Sequence, residues 1–324
     1  MANELRGKSP IVGTGHAGFG EAHGLTAYDV MAQSALAALD AGLCDVALIV
    51  YGSNQRTASG KLVTASRPPA YEAPYNPRYP ISAYAMAAAR HMHEFGTTRE
   101  QLADVAVAAR AWAQHNPEAF ERGPLSRADV LGARMVGDPL TVRDCCLVTD
   151  GGGAIVMVRA DRARDFPKAP VYVLGSAAES SHRQISQMKD FTVTAARESG
   201  ARAFAAAGVS PSDIQAVELY DAFTINTILF LEDLGFCAKG EGGAFVEGGR
   251  IAPGGVLPVN TNGGGLSCVH PGMYGIFTVI EAARQIRGDA PGIQLRDVDL
   301  ALAHGNGGVL SSQVTAILGS QNTL

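Results

Sequence analysis

The chain has 324 residues, of which 47% are hydrophobic and 18% charged, and its formal net charge is −5. This length and apolar content suffice for one large hydrophobic core or two smaller ones. The acidic balance and the lack of long runs of like charge argue against nucleic acid or an anionic membrane surface as a partner. No stretch approaches the roughly 18 consecutive apolar residues of a membrane-spanning helix, so we expect none.

The cysteines and the start of the chain both indicate a reducing compartment. There are five Cys, an odd number, and Cys145 and Cys146 are adjacent. The first residues are polar, without a signal-like apolar stretch. We therefore expect a cytoplasmic protein with free thiols. Because the sequence has no CxxC or HxxxH pattern, no metal site is expected.

Apolar runs alternate with segments of helical period, which predicts an α/β fold. Thr98 and Gln101 are spaced as a capping pair for one of the helices. The run Asp45–Tyr51 is apolar enough for a strand that is buried on both faces. The predicted elements of the first half are strand Pro10–Gly13, helix 27–40, strand Asp45–Tyr51, a polar loop at 54–80, helices 81–95 and 99–115, and the segment Leu147–Arg159, in which an Asp-Gly-Gly-Gly turn precedes a buried strand.

A charged segment that ends at Pro170 separates the two parts of the chain, so we predict domains at 1–165 and 166–324. The second part has the same alternation of strands and helices. Its predicted elements are strand 171–175, helix 191–207, strand Ala216–Leu219, helices 223–234 and 273–287, and strands 299–303 and 309–318.

The most informative stretch is the glycine-rich run from Asn260 to Gly275. It leads through His270 and Pro271 into a predicted helix, and Pro271 suits a first helical turn. The amides and dipole of a helix N-terminus favour a negative oxygen such as a thioester enolate. His270 is suited to hydrogen-bond that oxygen or to move a proton. A tight turn with a structural His is an equally good interpretation of the residues alone.

Tyr220 and Asp221 follow the predicted strand Ala216–Leu219, and ligands gather at the carboxyl ends of strands in α/β sheets. On chemistry alone, Asp221 is better suited to cap the following helix and Tyr220 to pack.

His304-Gly-Asn-Gly-Gly308 also follows a predicted apolar strand. Its glycines would let a backbone N–H approach a ligand oxygen, as an oxyanion site requires. A plain turn is the alternative.

The adjacent cysteines lie in the run Asp144–Ala154, which contains an Asp-Gly turn before a strand. Both thiols are interpreted as buried small apolar side chains.

These stretches, in this order, resemble the thiolase superfamily, and above all its sterol-carrier-protein-type thiolases and thiolase-like aldolases. The resemblance covers essentially the whole chain. Its further supports are Gly42–Gly52, Asp138–Leu140 with Asp144–Cys146 and Asp150–Ala154, Asn262–Gly265 with His270–Gly272, and Gln285–Gly288.

The resemblance implies a five-layer αβαβα fold built from two similar halves, with the active site where the halves meet. It also implies a homodimer and an acyl-CoA substrate, with no permanently bound cofactor. The aldolase relatives work with a small partner that carries an OB-fold and a zinc ribbon.

Four departures from the family pattern affect the expected chemistry. The predicted helix 27–40 runs directly into Cys44, so the first half is shortened and the family's nucleophilic Cys has no counterpart. Ala222 stands where some relatives have an acid/base Cys, and Val269 replaces the Gly before the catalytic His. The region of His304 stands in place of the C-terminal Cys-Gly of biosynthetic thiolases.

Three hypotheses follow: a thiolase-type acyltransferase, a retro-aldolase for β-hydroxyacyl-CoA, and a non-catalytic binding protein. The retro-aldol reaction needs a proton acceptor and a stabilised enolate but no acyl-cysteine. The candidate catalytic residues are His270, Tyr220, His304 and Tyr274. The candidate substrate-binding residues are Asp221, Asn262, Gly264, Gly265, Asn306 and Gly307. All of these assignments require that His270 and the 304–308 turn face one cavity.

Overall fold

The computed structural model describes residues 10–20, 47–58, 70–158 and 160–324. The predicted helix at 27–40, Cys44 and part of the predicted 54–80 loop lie outside the described residues.

A mixed seven-stranded sheet organises the described part of the chain, with the strand order β2-β5-β1-β6-β9-β8-β7. A separate two-stranded ribbon is formed by β3 and β4. The strands are β1 (Pro10–Gly20), β2 (Ala47–Ser53), β3 (Met135–Gly137), β4 (Leu140–Thr141), β5 (Asp150–Met157), β6 (Val171–Ser180), β7 (Ala216–Leu219), β8 (Leu300–Gly307) and β9 (Ser312–Gly319).

The two ends of this sheet repeat one arrangement. Strand β5 lies between β1 and β2 and runs antiparallel to both. In the same way, β9 lies between β6 and β8 and runs antiparallel to both. The two triplets join where Pro10 and Ile11 of β1 pair with Tyr172 and Val171 of β6. Both parts of the chain thus contribute to one continuous sheet, and the boundary at 165 stays a prediction.

The described residues contain seven α-helices, of which α4 and α7 pack on the sheet, and the central part of the core is formed by α5. Every residue of α5 is buried. The predicted capping pair of α2 is confirmed, since Thr98 Oγ1 accepts from the Gln101 amide at 3.2 Å and Gln101 Oε1 from the Thr98 amide at 3.0 Å. The helices are α1 (Ile81–Phe95), α2 (Arg99–Ala113), α3 (Arg127–Leu131), α4 (Ala196–Ala207), α5 (Thr224–Asp233), α6 (Gly242–Val246) and α7 (Gly275–Arg287).

The α/β pattern predicted from the sequence is confirmed, but three local predictions are wrong. Strand β2 is not buried on both faces, because it ends the sheet; Leu48 and Ile49 are 42% and 46% exposed. Residues 304–307 belong to β8 rather than to a turn. Helix α7 begins at Gly275, so Pro271 lies in a turn before the helix instead of in its first helical turn.

A buried charged cluster ties α1 to α5 and to the chain that follows α5. The Glu232 carboxylate is 3.0 Å from His91 Nε2 and 3.0 Å from Lys239 Nζ, and it accepts from the Gly242 amide at 2.8 Å. Lys239 Nζ also lies 2.6 Å from Asp233. The side chains of Glu232 and His91 are fully buried, so each partner is needed to offset the desolvation of the others.

We expect Glu232→Ala to lower the free energy of unfolding by about 3–5 kcal/mol, because it leaves His91, Lys239 and the Gly242 amide without their shared acceptor. Urea unfolding followed by circular dichroism measures this loss. Lys168→Ala is the control, since its ion pair with Asp289 is on the surface and such pairs contribute below about 1 kcal/mol. Equal losses in the two variants would contradict the importance of the cluster.

Candidate active site

A cavity of about 860 Å³ opens between the two parts of the chain. Its walls are mostly apolar and come from the β2 edge, the start of α1, the turn that follows β7, the segment 270–279, and the β8–β9 hairpin. Its polar side chains are Tyr51, Tyr79, Tyr84, Cys146, Tyr220, His270, Thr278, Asn306 and Ser312.

Tyr220 and His270 meet on one wall of this cavity. Their rings are 5.5 Å apart between centroids and nearly perpendicular, an edge contact. The Tyr220 hydroxyl donates a long hydrogen bond of 3.4 Å to the Gly272 carbonyl, and His270 Nε2 has no hydrogen-bond partner. The strand β7 and the glycine-rich run Asn260–Gly275, here called the glycine loop, thus bring together two candidate residues that lie 50 positions apart in the sequence.

Burial sets the charge state of both groups. It lowers the pKa of the His270 imidazole to about 4, so the ring is neutral near pH 7. It raises the pKa of the Tyr220 phenol, so the hydroxyl keeps its proton. The wall therefore offers a neutral imidazole and a neutral hydroxyl in an apolar setting, where hydrogen bonds to a developing oxyanion are strong.

Asp221 holds the glycine loop beneath this wall. Its carboxylate accepts from the Gly265 amide at 2.6 Å and from the Leu266 amide at 3.3 Å. Gly264 has φ +64°, and a Cβ there would lie 2.0 Å from the Asp221 carboxylate, so only glycine fits. Asp221 caps a single π-helical turn, Gly264–Cys268, and not the helix that follows it in sequence.

Asn262 and Tyr274 form a second support of the loop. Asn262 Oδ1 accepts from the Tyr274 hydroxyl at 3.1 Å and from the Gly264 amide at 2.7 Å. Both side chains are buried, and Tyr274 stacks 6.2 Å from His270 between ring centroids. Asp221, Asn262, Gly264, Gly265 and Tyr274 do not line the described cavity. In the structure they support the loop that carries His270, and the substrate contacts predicted for the first four and the catalytic role predicted for Tyr274 stay predictions.

His304 also lies away from the cavity, contrary to the prediction of a catalytic role. Ala303 and Gly305, on either side of it in the chain, line the cavity, whereas His304 does not. Its ring packs 4.6 Å from Phe230, and its Nδ1 and Nε2 are each 2.9 Å from Thr315 and Gln313. His304 is a buried structural histidine with both nitrogens satisfied.

The other half of the predicted turn does face the cavity. Asn306 and Gly307 of β8 and Gly308 beyond it line the cavity that His270 also lines. The first turn of α7 contributes Gly275, so a helix N-terminus reaches the same space as the prediction required. Which of these groups contacts a substrate stays a prediction.

Tyr84 and Tyr51 are cavity residues that the sequence did not indicate. Tyr84 is an apolar-face residue of α1, and Tyr51 ends an apolar strand, so both patterns are typical of core packing. Tyr51 accepts from the Met273 amide at 3.1 Å and donates to the Pro271 carbonyl at 2.5 Å, which fixes the turn after His270. Their place in the cavity depends on contacts between segments that are far apart in sequence, which local sequence patterns do not reveal.

Comparisons with known proteins agree with this architecture. Residues 177–320 match the family model "Thiolase C-terminal domain-like". The acetyl-CoA acetyltransferase of Methanothermobacter thermautotrophicus is 42% identical over 70% of this chain and 60% of its own length. The 17-hydroxy-3-oxo-4-pregnene-20-carboxyl-CoA lyase of Mycobacterium tuberculosis is 34% identical over 79% of this chain and 70% of its own length. This chain belongs to the thiolase superfamily.

Other members of the superfamily are similar in sequence and fold. The steroid side-chain-cleaving aldolase of Thermomonospora curvata is 39% identical over 66% of this chain and 56% of its own length. The structure of the Ltp2-ChsH2 (DUF35) aldolase superposes with a TM-score of 0.88 at 29% identity, covering 99% of this chain and 100% of that chain. This chain thus spans 56–70% of the length of the three sequence relatives. The predicted thiolase fold with a shortened N-terminal half is confirmed.

For a thiolase-superfamily protein, the state of the cavity cysteine matters. Cys146 borders the cavity, and both Cys145 and Cys146 are half-buried and packed against the hydrophobic core, so their interpretation as buried small apolar side chains holds only in part. Burial raises the pKa of the Cys146 thiol, and the neighbouring Cys145 and Asp221 add to the effect. A nucleophilic thiol needs the opposite shift, so Cys146 is held in its unreactive protonated form.

The described residues contain no group of three or more His, Cys, Asp or Glu side chains that could hold a metal ion. Within the same residues, no helix is both long and apolar enough to cross a bilayer.

We expect Asp221 to make stability depend on pH. Burial raises its pKa from 3.8 to about 7, so the folded state binds a proton that the unfolded state has released, and stability falls between about pH 4 and pH 8. Since Asp221→Asn does not titrate, the stability of the wild type relative to this variant should fall by up to about 4 kcal/mol over that range. Urea unfolding of both proteins at each pH measures the difference, and a constant difference would contradict the shifted pKa.

Proposed function

We propose that this chain is an enzyme that breaks a carbon–carbon bond beside a CoA thioester, as a retro-aldolase for β-hydroxyacyl-CoA. The observation that carries this proposal is the pairing of Tyr220 with a neutral His270, whose Nε2 has no hydrogen-bond partner, on an apolar cavity wall. Cleavage of a β-hydroxy thioester needs a proton acceptor and enolate stabilisation but no covalent acyl-enzyme. The aldolases and the lyase among the relatives support the same class.

The reaction is balanced with this chain's own groups. The His270 imidazole accepts the proton of the β-hydroxyl as the oxygen forms a carbonyl and the Cα–Cβ bond breaks. The electron pair of that bond becomes a thioester enolate, whose oxygen is stabilised by the Tyr220 hydroxyl and the amides at the start of α7. The imidazolium then returns its proton to Cα. The products are an aldehyde or ketone and a shortened acyl-CoA, and no resident cofactor is needed.

Acyl transfer of the thiolase type is the second candidate. The 42% identity to an acetyl-CoA acetyltransferase favours it, and Cys146 borders the cavity. It requires an acyl-cysteine, however, and the raised pKa of Cys146 opposes thiolate formation. This candidate therefore ranks second for the described residues.

We further propose that the enzyme is a homodimer and works with a small partner that has an OB-fold and a zinc ribbon. The likeness to an aldolase named for two components, Ltp2 and ChsH2 (DUF35), supports the partner. Leu48, which is 42% exposed on the end strand β2, leaves an apolar edge that an additional chain would cover.

Tyr220→Phe is expected to reduce the cleavage of 3-hydroxydecanoyl-CoA at least 100-fold, because it removes one enolate hydrogen bond from a water-poor site. Formation of acetyl-CoA and octanal, followed by chromatography, measures the rate. Tyr172→Phe is the matched control, since this buried tyrosine donates to Gln321 at 2.6 Å outside the cavity and should leave the rate unchanged. Full activity of Tyr220→Phe would contradict the proposed mechanism.

Retention of a radiolabelled acetyl group separates the two candidate functions. After incubation with labelled acetyl-CoA and denaturation, the retro-aldolase should carry no label, because no step of its reaction acylates the protein. Label that is retained in the wild type and lost in Cys146→Ala would instead establish the acyl-transfer mechanism.

Co-expression tests the proposed partner. We expect an affinity-tagged DUF35-type protein encoded near this chain's gene to retain the chain through gel filtration and to increase the cleavage rate. If the isolated chain cleaves the thioester at the same rate with and without the tagged protein, and the two elute separately, the partner proposal is wrong.

A further inference from the structure

Tyr84 brings a hydroxyl from the first half of the chain into the cavity. Tyr84 lies on α1, is 2% exposed and borders the cavity. Its hydrogen-bond partners, Asn306 and the Gly308 carbonyl, are uncharged. Its ring stacks on Phe223 with 4.3 Å between centroids, and Phe223 is three residues after Tyr220. The same turn that carries Tyr220 therefore fixes the position of the Tyr84 ring.

A buried chain of hydrogen bonds ends at the Tyr84 hydroxyl. Asn306 Nδ2 donates to that oxygen at 2.9 Å, and Gln313 Nε2 donates to Asn306 Oδ1 at 2.9 Å. Gln313 Oε1 is 2.9 Å from His304 Nε2, and His304 Nδ1 is 2.9 Å from Thr315 Oγ1. This chain of hydrogen bonds thus connects the cavity to the side chains on the far face of β8 and β9.

A backbone carbonyl fixes which groups donate and which accept along this chain of hydrogen bonds. Gln313 Nε2 also donates to the Leu310 carbonyl at 3.2 Å, and a carbonyl can only accept. The amide nitrogen of Gln313 therefore faces Leu310 and Asn306, and its oxygen accepts from His304 Nε2. His304 Nδ1 then accepts from Thr315, which requires a neutral ring, and burial lowers the pKa of His304 to about 4.

It follows that the oxygen of Tyr84 accepts from Asn306 and that its hydroxyl donates to the Gly308 carbonyl. Its hydrogen bond to the Gly308 carbonyl is 3.4 Å long, beyond the usual range of about 2.5–3.0 Å for hydroxyl donors. Burial raises the pKa of the Tyr84 phenol to about 12, so the proton stays in place near neutral pH.

We propose that Tyr84 is a specificity-determining residue that donates a hydrogen bond to the β-oxygen of the acyl chain, held in that role by Asn306, Gln313 and His304. The inference rests on the proposed function, because it assigns the oxygen that this donor recognises. A cavity with apolar walls and one oriented donor selects an oxygenated acyl chain over a saturated one, since with a saturated chain the donor keeps only its long hydrogen bond to the Gly308 carbonyl.

Calorimetric binding of two CoA thioesters tests this role. With Tyr84 intact, the protein should bind 3-hydroxydecanoyl-CoA roughly tenfold more tightly than decanoyl-CoA, a preference that corresponds to one hydrogen bond. To prevent turnover, both ligands are measured in a Tyr220→Phe background. Adding Tyr84→Phe should remove the preference, with the affinity for decanoyl-CoA kept, while adding Tyr172→Phe should leave the preference intact.

Asn306→Asp provides a second variant that keeps the Tyr84 ring. Its side chain has only acceptor oxygens when ionised, so the Tyr84 hydroxyl must donate to it and no longer to the ligand. The preference for the hydroxylated thioester should fall as in Tyr84→Phe. Thermal unfolding of each variant identifies loss of folding, and Tyr84→Phe then decides the question if Asn306→Asp does not fold.

Each outcome has one meaning. A preference that survives Tyr84→Phe overturns the role of Tyr84 but leaves the proposed function standing. Equal loss of affinity for both thioesters also overturns it, because a purely structural residue would act in that way. If the background protein binds neither thioester, the proposed function fails, and the inference that rests on it fails with it.

Discussion

The hydrogen bond between the Asp221 carboxylate and the Gly265 amide is the contact on which the cavity depends. Asp221 follows the end of β7, and Gly265 lies 44 residues later in the glycine loop. Pairing a carboxylate with free amides of a tight turn compensates both for the loss of water. Because Tyr220 precedes Asp221 and His270 follows the loop, this one contact sets the distance between the two rings.

The same constraint explains why several expected substrate contacts are supports. A loop that presents His270 to an apolar cavity must satisfy its own backbone groups from below. Asp221 and Asn262 do so, and Asn262 also accepts from the Tyr274 hydroxyl. Polar residues that are close to a site in sequence therefore either line the cavity or support the loop behind it. Their hydrogen-bonding capacity decides between these two roles.

The sequence predicts the elements of the fold better than it predicts the direction of side chains. The helix at 81–95 and the strand Ala216–Leu219 are found at the predicted bounds, because caps and periodicity are local signals. The sequence predicts a turn at His304, whereas His304 continues the strand β8. Its glycine neighbours mimic a turn in composition, yet in β8 they make room for the cavity. Tyr84 was missed because its contact with Asn306 joins residues 222 apart.

A shortened first half is compatible with one chemistry of the superfamily more than with the other. Acyl transfer needs a thiol whose pKa is lowered, whereas the cavity thiol of Cys146 has a raised pKa. Carbon–carbon cleavage of a β-hydroxy thioester needs only neutral groups that accept one proton and hold one oxyanion. Burial keeps His270 and Tyr220 in those neutral forms. The desolvation that opposes thiolate formation at Cys146 therefore supports the proposed retro-aldol reaction over acyl transfer.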